Sequence, residues 1–554
     1  MMNKEELEAV LKNSIYEKFI DIEEDNGCLK RLSFNNVESF NFAFDVMDVL
    51  GRECPKQIAM LHVDKKGNET KLTFSDIMRL SNKTANYLKS EGIKKGDRVM
   101  LILKRHVWFW ISILALHKIG AVAIPATSQL QQMDLEQRFK LGKISAIIAT
   151  NEDDVPQKTE LAEQAVGINI NKIMVFDEKE KWKRLDREIL TYDDVFERTS
   201  DSACGEDKMI MFFTSGTTGY PKIVTHNHKY PFGHFVTAKY WHRIEPGNVH
   251  FTVSDTGWGK AMWGKLYGQW FCAAKVFVFE FDRFCAEKML PMFKKYQIDT
   301  FCAPPTVYRM LIKEDLKNYD LSSIKCATTA GETLNPEVYS RFYEATGLNI
   351  MEGFGQTETT LTVGTLKGMT PKAGSMGKPV PTYNIKLING DGKECKVNEV
   401  GEISVYDINA DICGLFSGYY DREDLDNEVF YDGAYHTGDL AKKDEDGYFW
   451  YVGRKDDMIK SSGYKIAPCE VENVIMEIPY VLECAVSPEP DEIRGQVIKA
   501  TVVLTSGTEK SESLKKEIQT YVKEKTAPYK YPRIVNFADE LPKTISGKVI
   551  RSKL

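Results

Sequence analysis

Apolar and polar positions follow a helical and an extended period in turn from about residue 75 onward. In TFSDIMRLSNKTANYLKSEG (73–92), apolar residues recur every three or four positions between a Thr start and a Gly stop, which predicts a helix. WFWISILALHKIG (108–120) predicts a second, apolar helix. Short β-branched runs predict strands between helices: DRVMLIL, AVAIPA, SAIIAT and KIMVFD. This alternation favours a largely parallel sheet covered by helices on both faces.

The pattern changes between about residues 370 and 452, where Gly, Asp and Tyr become frequent. NIKLINGDGKECKVNEVGEISV alternates in polarity about an NGDG turn, which favours antiparallel strands. After this region the tail has its own α and β pattern. We therefore predict a large N-terminal α/β domain (1–455), made of parallel sheets flanked by helices plus a small β-barrel-like part, and a small α+β domain (456–554).

Composition narrows the class of protein. The 554 residues contain 43% hydrophobic and 28% charged residues, and the net charge of −7 argues against a nucleic-acid partner. The eleven cysteines form no CxxC pair, which predicts reduced thiols in an intracellular, cytoplasmic protein. We expect no signal peptide at the charged N-terminus and no membrane span, because no apolar run approaches the ~18–20 residues that a span needs.

A loop rich in Gly, Ser and Thr follows an apolar run at FFTSGTTGYPK (212–222). Backbone N–H groups of such a turn can converge on an anion, and hydroxyl groups add further donors. The loop is not the usual P-loop, because Gly216 and Gly219 are too close together and Pro221 precedes Lys222. A phosphate-binding loop is the favoured interpretation, and a flexible surface turn is the alternative.

TSGTTGYPK is similar to the signature loop of the adenylate-forming superfamily, which comprises acyl-CoA synthetases, luciferases and peptide-synthetase adenylation domains. Five further segments resemble the other motifs of this superfamily in the same order: GETLNP (331–336), EGFGQTE (352–358), YHTGD (435–439), GRKDDMIKSSGYKI (453–466) and PKTISGK (542–548). Medium-chain acyl-CoA synthetases and acetyl-CoA synthetase-like enzymes show the greatest resemblance. The terminal SKL matches a peroxisomal address, but SGKVIRSKL also continues the last motif, which we expect to explain it.

The resemblance implies that a carboxylic acid and ATP form an acyl-adenylate and pyrophosphate, and that the thiol of coenzyme A then takes the acyl group. An anion must attack a polyanion in the first step, so positive charge and alignment are required. Lys548 is implied as the adenylation lysine, with a solvated basic tail as the alternative. Glu358 is implied as the Mg²⁺ ligand, and Thr357 would hold the α-phosphate.

The other nucleotide contacts are also implied by the resemblance. Asp439 would accept both ribose hydroxyls, Arg454 would contact ribose or phosphate, and Gly331 and Glu332 would border the adenine. The β- and γ-phosphates would be held by Thr214, Ser215, Gly216, Thr217, Thr218, Gly219 and Lys222. The remaining motif positions assigned to ATP or AMP are Glu352, Gly353, Phe354 and Gln356.

Members of the superfamily swing a mobile small domain between the two half-reactions. Asp456 matches the hinge position. Coenzyme A would pass Gly463 and Tyr464, approach Lys465, and meet Lys523 at its nucleotide end.

Two residues of the predicted acyl pocket differ from those at the equivalent positions of the acetate enzymes. Gly355 stands where those enzymes carry Trp, and Gly259 replaces a larger aliphatic residue. Space for several methylenes would result, each worth ~0.8 kcal/mol when buried. The other pocket candidates are Trp258, Lys260, Trp263 and Ala330. The Trp residues are alternatively core residues, and Lys260 either attracts the carboxylate or caps a helix.

Short branched or medium-chain acids are therefore predicted as substrates. Trp263 would favour a short branched acid if it refilled the space that the glycines open, and acetate or propionate is an alternative. Two functional alternatives also remain: transfer of the acyl group to a carrier protein, and an inactive protein that binds acyl-nucleotides. The expected partners are a small carboxylic acid, ATP and coenzyme A, in a monomer or homodimer.

Overall fold

The computed structural model describes residues 2–215, 221–408, 412–492, 494–543 and 549–554. Its α-helices are α1 Lys4–Leu11, α2 Glu17–Phe19, α3 Asp48–Glu53, α4 Phe74–Ser90, α5 Trp108–Ile119, α6 Gln132–Gly142, α7 Val155–Val166, α8 Leu185–Glu188, α9 Tyr230–Val236, α10 Lys260–Lys265, α11 Tyr267–Phe271, α12 Ala286–Tyr296, α13 Pro305–Leu311, α14 Pro336–Thr346, α15 Glu423–Val429, α16 Pro468–Ile475 and α17 Glu512–Lys525. Within the described residues, no helix is long and apolar enough to span a membrane.

The predicted helices at 73–92 and 108–120 are α4 and α5. Thr73 caps α4, because its side chain accepts a hydrogen bond from the Asp76 backbone N–H while the Asp76 carboxylate accepts one from the Thr73 N–H. Gly120 ends α5 in the left-handed conformation, with φ of +76°. Helix α5 is buried almost throughout, which explains its apolar composition.

Two large sheets are mainly parallel, which confirms the predicted α/β class. The first has the order β11-β10-β6-β5-β7-β8-β9. Its strands are β5 Arg98–Ile102, β6 Val122–Pro125, β7 Ala146–Ala149, β8 Asn171–Met174, β9 Lys183–Arg184, β10 Lys208–Ser215 and β11 Pro221–Asn227. All of its pairs are parallel except β10 with β11.

The second large sheet has the order β18-β17-β16-β15-β14-β12-β13-β3-β4 and is antiparallel only near its two edges. Its strands are β3 Ile58–Val63, β4 Glu69–Thr73, β12 Val249–Thr252, β13 Lys275–Phe279, β14 Thr300–Cys302, β15 Cys326–Ala330, β16 Ile350–Phe354, β17 Val363–Gly364 and β18 Lys378–Pro379. A separate N-terminal hairpin pairs β1 Ile20–Asp25 with β2 Cys28–Phe34.

The region of changed pattern forms an antiparallel sheet, as predicted. Its strands are β19 Asn384–Ile388, β20 Val400–Tyr406, β21 Phe430–Tyr431, β22 Ala434–Lys443 and β23 Phe449–Arg454. The NGDG turn does not itself join β19 to β20, because the chain returns through residues 393–399 before β20 begins.

The last sheet contains β24 Ile459–Ser461, β25 Tyr464–Ile466, β26 Val481–Asp491, β27 Gly495–Leu504 and β28 Ile534–Ala538. Helices α16 and α17 bury Val471, Ile475, Ile518 and Val522 in an apolar core with this sheet. The predicted domain boundary falls in the short connection between β23 and β24. It stays a prediction.

Candidate active site

Two of the motif segments follow the carboxyl-terminal ends of neighbouring strands in the second large sheet. Strands β15 and β16 are parallel neighbours, so their carboxyl ends meet there. Gly331 and Glu332 follow β15, and Gln356, Thr357 and Glu358 follow β16. The parallel sheet thus places two segments that are distant in sequence side by side.

Glu358 has a tyrosine as its side-chain partner. The Tyr419 hydroxyl donates a hydrogen bond of 2.9 Å to Glu358 Oε1. The Lys222 ammonium lies 5.0 Å from the centre of the Tyr419 ring. Lys222 is opposite Thr214 in the antiparallel pair β10–β11, so the two described ends of the predicted phosphate loop lie together.

Thr357 is held through its backbone. Its carbonyl accepts a hydrogen bond of 2.7 Å from His226 Nε2. Burial lowers the pKa of His226 to about 3, so the imidazole is neutral and carries its proton on Nε2. Gly259 lies beside the Thr357 side chain, since a Cβ atom at position 259 would be 3.9 Å from Thr357 Cγ2.

Asp439 and Arg454 are opposite each other in the β22–β23 pair. Asp439 Oδ2 accepts hydrogen bonds from Gln356 Nε2 and, at 3.2 Å, from Arg454 Nη1, while Oδ1 accepts one of 2.9 Å from the Tyr451 hydroxyl. Tyr435 donates a bond of 2.6 Å to Gln356 Oε1. Burial raises the pKa of Asp439, and the Arg454 guanidinium opposes that shift. One network therefore joins the core motif to the predicted ribose site.

Glu352, Gly353 and Phe354 form the end of β16. The Glu352 side chain is buried and accepts a bond of 3.3 Å from the Leu334 N–H. Burial raises the pKa of this carboxyl group to about 8. A Cβ atom at Gly353 would lie 2.8 Å from Trp241 Cε2, so glycine permits the close packing of this strand on the Trp241 ring.

Gly331 and Glu332 differ in their surroundings. Gly331 has φ of +105°, and among the described residues beyond its chain neighbours no atom lies within 4 Å of its hypothetical Cβ, which leaves the backbone open to a ligand. The Glu332 carboxylate is exposed, accepts a bond of 3.2 Å from the Thr306 hydroxyl and lies 3.5 Å from Arg309 Nη2.

Trp263 occupies the space beside Gly355. A Cβ atom at position 355 would lie 2.5 Å from Trp263 Cη2 and would also meet the Thr360 carbonyl oxygen. Trp263 is buried, with its ring 6.2 Å from those of Trp241 and His234. Trp258 is partly buried on the same segment. The indole ring of Trp263 therefore fills part of the space that the glycine leaves.

Lys260 does not cap a helix through its side chain. It is the first residue of α10, and its ammonium donates a bond of 2.6 Å to the carbonyl of Ala330, the last residue of β15. Burial lowers the pKa of this lysine. The described partner of this ammonium is therefore the end of a strand and not the end of a helix, and its attraction of the substrate carboxylate stays a prediction.

Some predicted residues lie outside the described residues, namely Gly216, Thr217, Thr218, Gly219 and Lys548. Thr214 and Ser215 are the last residues of β10, and Lys222 is the second residue of β11. The structure therefore describes the two ends of the predicted phosphate loop.

The predicted coenzyme A residues lie in the last sheet and its helices. Gly463 turns between β24 and β25 with φ of +85°, and the exposed Tyr464 stacks on Tyr529 at 4.1 Å. Lys465 is exposed, and Lys523 projects from α17 toward the Tyr531 ring. In the described part of the chain, these residues make no hydrogen bond or ion pair with Glu358 or Asp439. Asp456, the predicted hinge, accepts a bond of 3.2 Å from Arg454 Nε.

Family models match most of the chain. The model of the AMP-binding enzyme matches residues 50–420, and that of the AMP-binding enzyme C-terminal domain matches residues 470–548. The chain belongs to the AMP-binding enzyme family. The resemblance found in the sequence motifs is thereby confirmed.

This AMP-binding enzyme is similar to the human acyl-coenzyme A synthetase ACSM3, mitochondrial, with 39% identity over 560 residues, 96% of this chain and 94% of that protein. The crystal structure of the anthranilate CoA ligase AuaEII with anthranoyl-AMP matches with a TM-score of 0.83 and 26% identity, covering 93% of this chain and 96% of that chain. The Brucella canis acyl-CoA synthetase matches with a TM-score of 0.71 and 27% identity, covering 94% of each chain. Because ACSM3 is named as mitochondrial, the cytoplasmic location stays a prediction.

Sequence reasoning missed four residues that hold the predicted site of this AMP-binding enzyme. Three are tyrosines whose hydroxyls donate to motif side chains: Tyr419 to Glu358, Tyr435 to Gln356 and Tyr451 to Asp439. The fourth is His226. Tyr435 lies inside a motif, His226 and Tyr451 lie a few residues from one, and Tyr419 lies outside all of them. Only the fold brings their partners into reach.

Proposed function

We propose that this protein is an ATP-dependent acyl-CoA synthetase for small carboxylic acids. The observation that carries the proposal is the hydrogen-bonded network of Gln356, Asp439 and Arg454 beside Glu358, in a chain of the AMP-binding enzyme family. Relatives named acyl-coenzyme A synthetases, similar over nearly the whole chain, support the same reaction.

In the first half-reaction, a carboxylate oxygen of the acid attacks the α-phosphorus of ATP. The bond from that phosphorus to the bridging oxygen breaks, and pyrophosphate leaves with the electron pair. Asp439 accepts the ribose hydroxyls, and Thr214, Lys222 and the rest of the phosphate loop hold the leaving phosphates. Lys548 supplies positive charge between the two reacting anions.

The side chains around Glu358 suit Mg²⁺. Glu358 Oε1 is hydrogen-bonded to a neutral phenol, and the carboxylate is partly exposed. The described residues contain no group of three or more His, Cys, Asp or Glu side chains that could hold a metal ion. A single carboxylate fits Mg²⁺, which takes few protein ligands and draws the rest from phosphate and water. When bound, Mg²⁺ would neutralise charge on the phosphate oxygens.

In the second half-reaction, the thiol sulfur of coenzyme A attacks the acyl carbon. The acyl–phosphate bond breaks, AMP leaves, and the thiol proton passes to solvent or base. We propose that the small domain, residues 456–554, turns about Asp456 between the two steps. Gly463 would then let the pantetheine pass close to the backbone, and Lys465 and Lys523 would meet its phosphates.

Short branched acids fit the proposed acyl pocket best. The Trp263 ring fills part of the volume that Gly355 opens, so a straight medium-length chain would meet the indole. At Gly259 a Cβ atom would come no nearer than 3.9 Å to Thr357, which supports room for a branch nearer the carboxylate. Each excluded methylene loses ~0.8 kcal/mol of burial, so the preference should fall steeply with chain length.

The test is ATP-dependent pyrophosphate release with coenzyme A across acids from acetate to decanoate, with isobutyrate, 2-methylbutyrate and benzoate included. We expect the largest kcat/KM with a branched acid of four or five carbons. A maximum at octanoate would show that Trp263 does not limit the pocket, and a maximum at acetate would show a smaller pocket than proposed.

A matched control is Lys548→Ala, which should release no pyrophosphate but still convert preformed acyl-AMP and coenzyme A to acyl-CoA. Release that requires a holo-carrier protein in place of coenzyme A would identify a carrier ligase. No release with any acid and either acceptor would contradict the proposed function.

A further inference from the structure

Tyr419 links two parts of the proposed ATP site that are far apart in sequence. Its hydroxyl donates a 2.9 Å hydrogen bond to Glu358 Oε1, while its ring lies 5.0 Å from the Lys222 ammonium. Glu358 follows β16 of one large sheet, and Lys222 belongs to β11 of the other. One side chain therefore contacts both the proposed metal carboxylate and the phosphate-loop lysine.

Residues 416–420, here called the bracing segment, hold Tyr419 in place. The segment runs antiparallel to β11, with Tyr419 opposite Val224 and with the Tyr420 N–H donating to the Ile223 carbonyl at 2.9 Å. At its start, the Phe416 N–H donates to the Glu358 carbonyl at 2.8 Å. Both the backbone and the side chain of Glu358 are thus fixed by this segment.

The hydrogen bond from Tyr419 determines which oxygen of the Glu358 carboxylate can bind a ligand. The phenol donates to Oε1 and brings no positive charge of its own, in contrast to a lysine or arginine partner. Among the described residues Oε2 has no hydrogen-bond partner, and the bond to Oε1 restrains rotation of the carboxylate about its last bond. Partners of this kind orient metal-ligating carboxylates and commonly matter almost as much as the ligands themselves.

We propose that Tyr419 is a positioning residue for adenylation, which orients Glu358 toward the Mg²⁺ of Mg·ATP through its hydroxyl and seats Lys222 against its ring. This inference rests on the proposed function. The hydroxyl of Tyr419 acts through Glu358 on the metal ion, and the ring acts through Lys222 on a terminal phosphate of the same nucleotide.

Tyr419→Phe separates the two roles, because it keeps the ring and removes the hydroxyl. Calorimetric titration with ATP, in Mg²⁺ and in EDTA, measures how much Mg²⁺ strengthens ATP binding. We expect that gain to shrink by about 10- to 100-fold in the variant, the usual loss when an outer partner of a metal ligand is removed. ATP affinity in EDTA should stay within about twofold of wild type, since the ring that contacts Lys222 remains.

The half-reactions give a second readout. Pyrophosphate release by Tyr419→Phe should need a correspondingly higher Mg²⁺ concentration, while conversion of preformed acyl-AMP and coenzyme A should proceed at the wild-type rate. Tyr419→Leu removes ring and hydroxyl together and should also weaken ATP binding in EDTA. The matched control is Tyr420→Phe, because the Tyr420 ring lies against Lys143 and Lys208 instead, and it should behave as wild type.

An unchanged Mg²⁺ gain in Tyr419→Phe, or an equal loss in the acyl-AMP step, would overturn the proposal. If wild-type protein binds Mg·ATP but releases no pyrophosphate with any acid, the proposed function fails while the binding test of Tyr419 still decides the inference. Thermal unfolding of each variant separates loss of folding from loss of binding.

Discussion

At the scale of single residues, burial gives Glu352 a property that its motif does not reveal. The carboxyl group is buried on β16, where the backbone N–H groups of Leu334 and Gly374 favour its charged form and no lysine or arginine among the described residues pairs with it. Burial disfavours the charged form, so the pKa rises from its ordinary value to about 8. Glu352 is therefore protonated at neutral pH in the folded protein.

Glu352→Gln should reduce the loss of stability as pH rises. The pKa of Glu352 is raised on folding. Its contribution to the free energy of unfolding is therefore fully present below the pKa of the unfolded state and is lost as pH rises through about 8. The loss approaches about 1.4 kcal/mol per pH unit between the two pKa values. Glutamine does not titrate, so the fall in Tm between pH 5 and pH 8 should be smaller by about 2–5 °C in the variant. Equal pH dependence of Tm in both proteins would contradict the protonated state of Glu352.

At the scale of elements, the bracing segment joins the two large sheets beside the site. The backbone of this segment requires glycine at position 418. Gly418 has φ of +118°, and a Cβ atom there would lie only 2.7 Å from Asp426 Oδ2. The Asp426 carboxylate also accepts a 2.7 Å hydrogen bond from the Tyr419 N–H. Moving Asp426 away from a side chain at position 418 would therefore break that hydrogen bond.

Gly418→Ala should therefore distort this segment. A residue forced into such a conformation costs about 1–3 kcal/mol, and the clash with Asp426 adds to that cost. We expect a lower Tm in thermal unfolding and slower pyrophosphate release at fixed Mg²⁺. The matched control is Gly390→Ala, which has open space around its Cβ position and should leave both unchanged. A Gly418→Ala protein with wild-type Tm would show that the segment tolerates a side chain.

At the scale of the whole molecule, one hydrogen bond between described residues joins the small domain to β23 near the predicted hinge. The Cys469 thiol on α16 donates to the Val452 carbonyl on β23. The Lys455 N–H, just before the predicted hinge, donates within the large domain to the Gly438 carbonyl at 2.8 Å. Asp456 is exposed, and within the described residues its carboxylate is bonded to Arg454 alone. Of these described bonds, rotation at Asp456 would break the one from Cys469.

Asp456→Pro should block such rotation, because proline fixes φ near −65°. Measured separately, one half-reaction should stay near wild type while the other falls by about tenfold or more. Asp456→Ala is the matched control, since it removes the carboxylate but leaves the backbone free. Equal rates of both half-reactions in the proline variant would contradict a hinge at this residue.

Much of the fold followed from local pattern. The helical period and its Thr73 cap predicted α4, and the β-branched runs predicted β5, β6 and β7, because periodic burial and capping act over a few residues. The predicted KIMVFD strand ends early, at Met174. Spacing of apolar residues does not fix strand ends, which depend on pairing with neighbouring strands.

The sequence by itself determined the family, the α/β class and the residue types of the site, since the motifs carry those residues in a fixed order along the chain. Tertiary structure alone decided that Trp263 fills the space beside Gly355, that Lys260 bonds Ala330, and that Tyr419 holds Glu358. The partners in these contacts are between 61 and 92 residues apart. Local periodicity does not predict contacts between residues so far apart in sequence, because their side chains meet only after the strands have paired and the sheets have packed.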